Sequence, residues 1–126
     1  MLPGGMESAV KESAAIKGYH AHVYFDARTE EAAAALRSGL EERFDVALGR
    51  WHHKPVGPHT APMYQVAFAV DRFAEVVPFL ALNHGPLSVL VHPVTEDAVA
   101  DHFEHALWIG APLPLDAAPL RRPGPG

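Results

Sequence analysis

The sequence predicts an α+β sandwich in which helices cover one face of a four-stranded sheet, and three observations carry that reading. Four short runs rich in β-branched and aromatic residues have the composition and alternation of strands. Runs with helical spacing stand between the first and second of them and between the third and fourth. A chain of 126 residues is long enough for one hydrophobic core and too short for two.

Residues 19–25 (YHAHVYF) form the first strand. Tyr19, Ala21, Val23 and Phe25 share one face, and His20, His22 and Tyr24 share the other. Residues 26–43 follow as a helix with acids at its front, Thr29 as its N-cap, and Ala32, Ala33, Leu36 and Leu40 at helical spacing. Residues 44–51 make a second strand that runs into His52 and His53. The stretch 54–62 holds Pro55, Gly57, Pro58 and Pro62, which no strand interior tolerates, so it is a loop with His59 in its middle. Residues 63–70 form the third strand. Asp71 caps a helix over 72–82, which Pro78 is expected to kink or shorten and Gly85 to stop. Residues 87–92 are the fourth strand, ended by Pro93. Thr95 caps a third helix over 96–108, closed by Gly110. Residues 1–15 read as a loose leader, 16–116 as the single domain, and the Pro- and Gly-rich 117–126 as a tail.

This order of elements is that of the ferredoxin-like split βαβ sandwich with strand order 4-1-3-2. Right-handed crossovers are expected to join strand 1 to 3 and strand 2 to 4, so that strands 1 and 3 run together. Helices cover one face only. The other asks for a ligand or a second copy, and a homodimer is the expectation.

Composition removes several classes of function. Ten basic against fifteen acidic side chains give a net charge of −5, the wrong sign for gripping a phosphate backbone. With no cysteine there are no disulfides, thiolate metal sites or thiol nucleophiles. The apolar runs are too short to cross a bilayer, and the first fifteen residues lack the pattern of a signal peptide. A cytoplasmic enzyme or binding domain is expected. No Gly-rich phosphate loop or G-x-S-x-G elbow occurs.

Nine histidines are the departure from ordinary composition. In the expected topology the start of strand 1, the end of strand 2, the start of strand 3 and the end of strand 4 share one edge. That gathers His20, His52, His53, His59 and His92, with His22 one pleat further in. Any one of them reads most simply as a half-buried polar residue at a strand end. Convergence from four segments points instead to a site for iron, zinc, copper or nickel, all of which neutral imidazole binds. His102 and His105, with Glu104 between them, put a metal-capable H-x-x-H on the third helix. The plainer reading there is a surface feature, with Asp101 and His105 paired four apart. His84 reads as a helix-end residue. Leu36, Leu40, Phe73, Val77 and Leu80 read as core, as do most of the aromatics Tyr24, Trp51, Tyr64 and Trp108.

At YHAHVYFD, GRWHHKPVGPHTAPMYQVAF, GPLSVLVHP and DHFEHALWIGAPLPLD the sequence resembles the DOPA 4,5-dioxygenase family, over about residues 19–116. The resemblance implies the ferredoxin-like fold and opening of the ring of DOPA or a related catechol by O2 at non-haem ferrous iron. Its motifs single out His22 in H-V-Y, His52 in R-W-H, His59 in G-P-H and His92 in V-H-P, with His20 a looser match. Extradiol enzymes commonly use two histidines and a carboxylate. No acid stands in these motifs, so either three histidines hold the metal or Glu104 or Asp101 reaches it from the third helix. His22, His59 and His92 are the expected ligands, His22 being preferred to His20 because it lies deeper on the sheet. His20 and His52 would stand beside them and move the catechol protons. Arg50 would meet a substrate carboxylate or, equally, form a structural ion pair, and Tyr24 would line the substrate pocket. Fe(II) is the expected metal, with zinc or another divalent ion able to replace it in purified protein. Two other readings compete: a non-catalytic metal or small-ligand binding module, and a cofactor-free monooxygenase-like α+β dimer.

Overall fold

The computed structural model describes residues 10–121. Among the described residues a 3-10 turn, Ser13–Ala15, comes first, inside the stretch expected as a leader. Then come β1 (Gly18–Tyr24), α1 (Glu30–Arg43), β2 (Ala47–Leu48), β3 (Met63–Phe68), α2 (Phe73–Asn83), β4 (Ser88–Val94), α3 (Ala98–Phe103), β5 (Leu107–Ile109) and α4 (Ala118–Arg121). Residues 1–9 of the expected leader and 122–126 of the expected tail lie outside the described residues.

The sheet has five strands in the order β2-β3-β1-β4-β5, and every neighbouring pair is antiparallel. This corrects the expected four-stranded sheet in count and order: β5 is added outside β4. Strand direction is corrected too. β1 runs against β3, with Tyr19 opposite Phe68 and Tyr24 opposite Met63. The crossovers therefore join β1 to β2 and β3 to β4, each pair being parallel with one strand between them. The reason lies in the connections. The Lys54–Pro62 loop simply turns the chain back, making β2 and β3 an antiparallel pair, and the two helices supply the longer parallel crossovers.

β5 was expected to be helix. α3 stops at Phe103, and the segment beyond it alternates, with Trp108 opposite Leu90 and Ile109 opposite Val89. An aromatic and a β-branched residue in a pleated, half-buried setting favour the strand. The cap of α3 is Asp97, whose side chain accepts from Ala100 N at 3.0 Å, and not Thr95. Before α1, Asp26 accepts from Arg28 N and Thr29 N, so the turn is organised by Asp26, and the expected cap Thr29 makes no capping bond to the helix. Asp71 likewise does not cap α2; it sits in a 3-10 turn, Val70–Arg72, that leads into the helix. α2 continues through Pro78. The second strand is only two residues long because Gly49 lies against Gln65 and pairing resumes, shifted by one residue, at His52 and Met63.

Alternation along the strands gives the sheet two different faces. On the first, Ala21, Val23, Val66, Val89 and Val91 pack with Leu36 and Leu40 of α1 and Val76 and Leu80 of α2. Tyr64 belongs to the same core and donates its hydroxyl to the Ala33 carbonyl at 2.7 Å, tying sheet to helix. On the second face Tyr24, Met63 and Leu90 form a smaller cluster with Trp108, Leu113 and Leu115. The chain after β5 makes this cover possible. Gly110 turns it with φ 79°, where a Cβ would stand 2.9 Å from the Leu87 carbonyl oxygen. Only glycine takes both the positive φ and the close approach. The segment then clamps the 54–62 loop: Asp116 N donates to Pro58 O at 2.9 Å and Thr60 Oγ1 to Pro114 O at 2.6 Å.

Candidate metal centre

The register of the sheet brings the histidines together. His20 stands directly opposite His92, and His22 lies on the same face two residues further along β1. His59 arrives from the loop, fixed by bridges to Val56 and Leu115. His102 arrives from α3. The ring centroids of His22 and His59 are 4.0 Å apart, those of His92 and His102 also 4.0 Å, and those of His22 and His92 5.1 Å. His20 lies 5.2 Å from His92. Two triads have nitrogen atoms within 4.8 Å of one another: His20, His22 and His92, and His22, His59 and His102. His22 belongs to both.

Most of these rings are tied down on one nitrogen by a group outside the cluster. His92 Nδ1 meets the Pro93 carbonyl at 2.8 Å, and His102 Nδ1 meets the Ala98 carbonyl at 2.7 Å. A carbonyl only accepts, so in both rings Nδ1 carries the hydrogen and Nε2 keeps its lone pair. His59 Nδ1 meets the Tyr24 hydroxyl at 2.7 Å. Outer hydrogen bonds of this kind orient metal-ligating histidines and set their tautomer.

The donor set fits a divalent ion. His22 Nε2 and His92 Nε2 are 3.0 Å apart, and two atoms about 2.1 Å from a common ion at right angles stand about 3.0 Å apart. His22 Nδ1 is buried with no hydrogen-bond partner, a cost that a further ligand or ion would remove. The rings are also held neutral, as ligation requires. Burial first, then the neighbouring imidazoles, push His59 down to about 3 and His22 well below its ordinary value. Burial likewise lowers His92 to about 4, even though the Pro93 carbonyl opposes the shift. His20 is lowered by burial and then by His102, with Asp101 opposing.

Several residues expected at the site stand elsewhere. Because β2 runs with β1, its end lies at the far edge from His20. His53 packs on Phe25 and Trp51 and pairs with Glu30 at 3.5 Å. His52 bridges Met63 through its backbone and makes no ring contact with the cluster, although its charge would oppose that of His59. Arg50 is exposed and lines a separate cavity of about 470 Å³ with His52, His53 and Lys54. Tyr24 is 3 % exposed and sits behind His59, stacked on Trp108. Neither acid of the third helix is placed as a ligand. Asp101 is buried and accepts from Thr95 N at 2.8 Å and Thr95 Oγ1 at 2.6 Å, which anchors the start of α3; Glu104 is exposed. The pairing expected between Asp101 and His105 is replaced by these bonds.

His102 is the member that sequence reasoning placed on the surface. Its signal was the H-x-x-H pair itself, but spacing on a helix does not say which of the two faces the sheet. Here it is His102; His105 lines an apolar cavity on the other side, with Phe73, Val91 and Leu107.

Comparison with known proteins follows the same residues. The family described as Dopa 4,5-dioxygenase matches residues 19–118. A protein of Amanita muscaria described as DOPA 4,5-dioxygenase is 39% identical over 114 residues, covering 83% of this chain and 50% of that protein. An uncharacterized 21.2 kDa protein of Botryotinia fuckeliana is 34% identical over 117 residues, covering 82% of this chain and 63% of that one. The chain thus spans half to under two thirds of the length of these relatives. A crystal structure from Nostoc punctiforme, described as a candidate dioxygenase, superposes with a TM-score of 0.88 at 53% identity, covering 89% of this chain and 97% of that one.

Proposed function

This chain belongs to the Dopa 4,5-dioxygenase family, and from that premise we propose that it is a metal-dependent extradiol dioxygenase that opens the ring of a catechol with O2. The observation that carries the reading is the convergence of His22, His59, His92 and His102, from four separate segments, with their outer nitrogens engaged or buried. His22, His59 and His92 hold the metal in this proposal, and His102 joins them from α3. Ferrous iron is the expected ion, and when bound it supplies the open positions and the electron path that bring a catechol and O2 together. The resemblance of the sequence and the identity with a protein described as DOPA 4,5-dioxygenase support DOPA as the substrate to try first.

The chain's own groups do the remaining work. Tyr24 holds His59 in place from behind, and Pro93 and Ala98 hold His92 and His102. Leu90, Met63, Trp108 and Leu115 exclude water from the inner side of the cluster. His20 also lines an open cavity, of about 450 Å³. A catechol entering there meets His20 first. Its neutral ring accepts a hydroxyl proton as the substrate docks and returns one to the ring-opened product. Arg50 and His52 line the other cavity and take no part in this arrangement.

The test is oxygen uptake by protein reconstituted anaerobically with ferrous iron, using DOPA and simple catechols and watching for a coloured ring-opened product. Stoichiometric O2 loss with colour is expected. Bound iron without uptake on any catechol would leave a metal-binding module. Uptake that survives exhaustive chelation would move the chain to the cofactor-free monooxygenase-like class.

A further inference from the structure

The basic run Arg50, His52, His53 and Lys54 stands outside the histidine cluster and surrounds a cavity of its own, of about 470 Å³. The cavity lies where β2 hands over to the 54–62 loop, at the far edge of the sheet from His20. Basic groups reach it from both sides of that edge. Trp51 and His53 turn to the helix-covered side, where Trp51 packs on Phe25 and Tyr64 and His53 engages Glu30 at 3.5 Å. His52, between them in sequence, lies toward the other side.

The charges on the wall have one sign. No carboxylate is among the residues that line the cavity, although the chain as a whole carries −5. Arg50 and Lys54 are exposed, and neither makes an ion pair among the described residues. A further cation stands behind the wall. The Arg37 guanidinium lies 5.4 Å from the Trp51 ring centroid and 5.0 Å from that of Tyr64, and its Nη1 is buried without a hydrogen-bond partner. A charge behind an aromatic wall is screened less than one in water, so Arg37 adds to the positive potential in front of Trp51.

A guanidinium, an ammonium and two imidazoles around one space suit an anion with several terminal oxygens and more than one charge. A planar monocarboxylate satisfies a single fork, whereas a tetrahedral phosphoryl dianion meets donors from several sides. The cavity is also larger than a free phosphate fills. Pro55 and Val56 complete its lining, and Val56 is 38% exposed, which offers an apolar wall to an organic group. We propose that residues 50–56 form a binding site for the phosphoryl group of a small phosphomonoester, with Arg50 and Lys54 on its oxygens and Val56 against its organic part. The site is separate from the histidine cluster and does not depend on the dioxygenase reading.

The test follows amide resonances in NMR titrations of the metal-free full chain with inorganic phosphate, phenyl phosphate and benzoate. Both phosphoryl ligands should shift residues 50–56, and benzoate should bind more weakly than phenyl phosphate. Arg50→Gln and Lys54→Met are each expected to weaken phosphate and phenyl phosphate about threefold to tenfold. Val56→Ser should weaken phenyl phosphate and spare inorganic phosphate, which separates the ester from the free ion. Lys17→Met, at the opposite edge of the sheet, should change neither. All four positions are exposed or line open cavities, so these variants should fold as the wild type does. The site is overturned if residues 50–56 do not shift, or if the shifts centre on His20 and His92. Shifts spread alike over Lys11 and Arg72 would mark general screening and overturn it too, as would benzoate binding as tightly as phenyl phosphate or affinities indifferent to Arg50 and Lys54.

Discussion

The two faces of the sheet are made from the same strands and are put to opposite uses. Along β1, Ala21 and Val23 are fully buried on one side while His22, between them in sequence, is buried on the other. The helix-covered face hides aliphatic side chains that need nothing from their surroundings beyond contact. The other face hides imidazoles, leaves His22 Nδ1 without a partner, and keeps small residues around His20. The first face supplies stability. The second gives some of it up, because a buried polar atom with no partner costs about 1–3 kcal/mol. Equal burial therefore does not mean equal purpose: the polarity of what is buried tells the faces apart, since an unpartnered atom also lies on the helix-covered side, Arg37 Nη1, whose guanidinium stands over Trp51 and Tyr64.

Substitutions should split along the same line. The largest expected effect is on metal retention. His22→Ala, which removes a member of both triads, should drop bound metal from stoichiometric to undetectable by elemental analysis, as should His59→Ala and His92→Ala. Full occupancy in all three would remove the distinction between the faces.

Acid comes next, and it acts on the histidine face. In metal-free protein His59 and His92 are held down to about 3 and about 4, so they stay neutral while the same residues in the unfolded chain take up protons near 6.5. The unfolded state then binds more protons, and stability falls as pH drops below about 6.5. The loss is about 1.4 kcal/mol per pH unit for each such histidine until its folded value is reached. Urea midpoints that stay level between pH 7 and 4.5 would contradict this.

On the apolar face, Leu80→Ala should cost about 2–5 kcal/mol in urea unfolding, because Leu80 is fully buried against the sheet. Its metal stoichiometry should remain that of the wild type at low denaturant. The smallest effect is expected for His84→Ala. His84 Nδ1 meets the Leu87 carbonyl at 3.0 Å, away from the cluster, so the loss is about 1 kcal/mol of stability with unchanged metal binding.

Much of the site was legible because it follows local rules. A strand reading Y-H-A-H-V-Y has to put His20, His22 and Tyr24 on one side, whatever its neighbours. Gly85 after α2, with φ 53°, and the loop around Gly57 and Pro58 were equally plain from residue type. Where the reading failed, the missing information was long-range. His52 and His53 belong at the opposite edge because β2 runs parallel to β1, a direction decided by how α1 returns the chain. His102 could not be chosen over His105 from their spacing, since residues three apart share one face of a helix and nothing local says that α3 ends at Phe103, before His105. β5 was absorbed into the helix because three residues of alternation are too few to outweigh a helical run before them.

The sequence by itself determined the alternation that makes two faces, the helices that cover one of them, the loop that carries His59, and the family to which these motifs belong. Tertiary structure alone decided which strand ends meet, which helix histidine turns inward, and how the segment after Gly110 closes over the second face. The division has a physical cause. Periodicity and turn chemistry act over a few residues and are written in each segment. The gathering of five imidazoles depends on strand direction and register, which follow from burying both sides of the whole sheet at once.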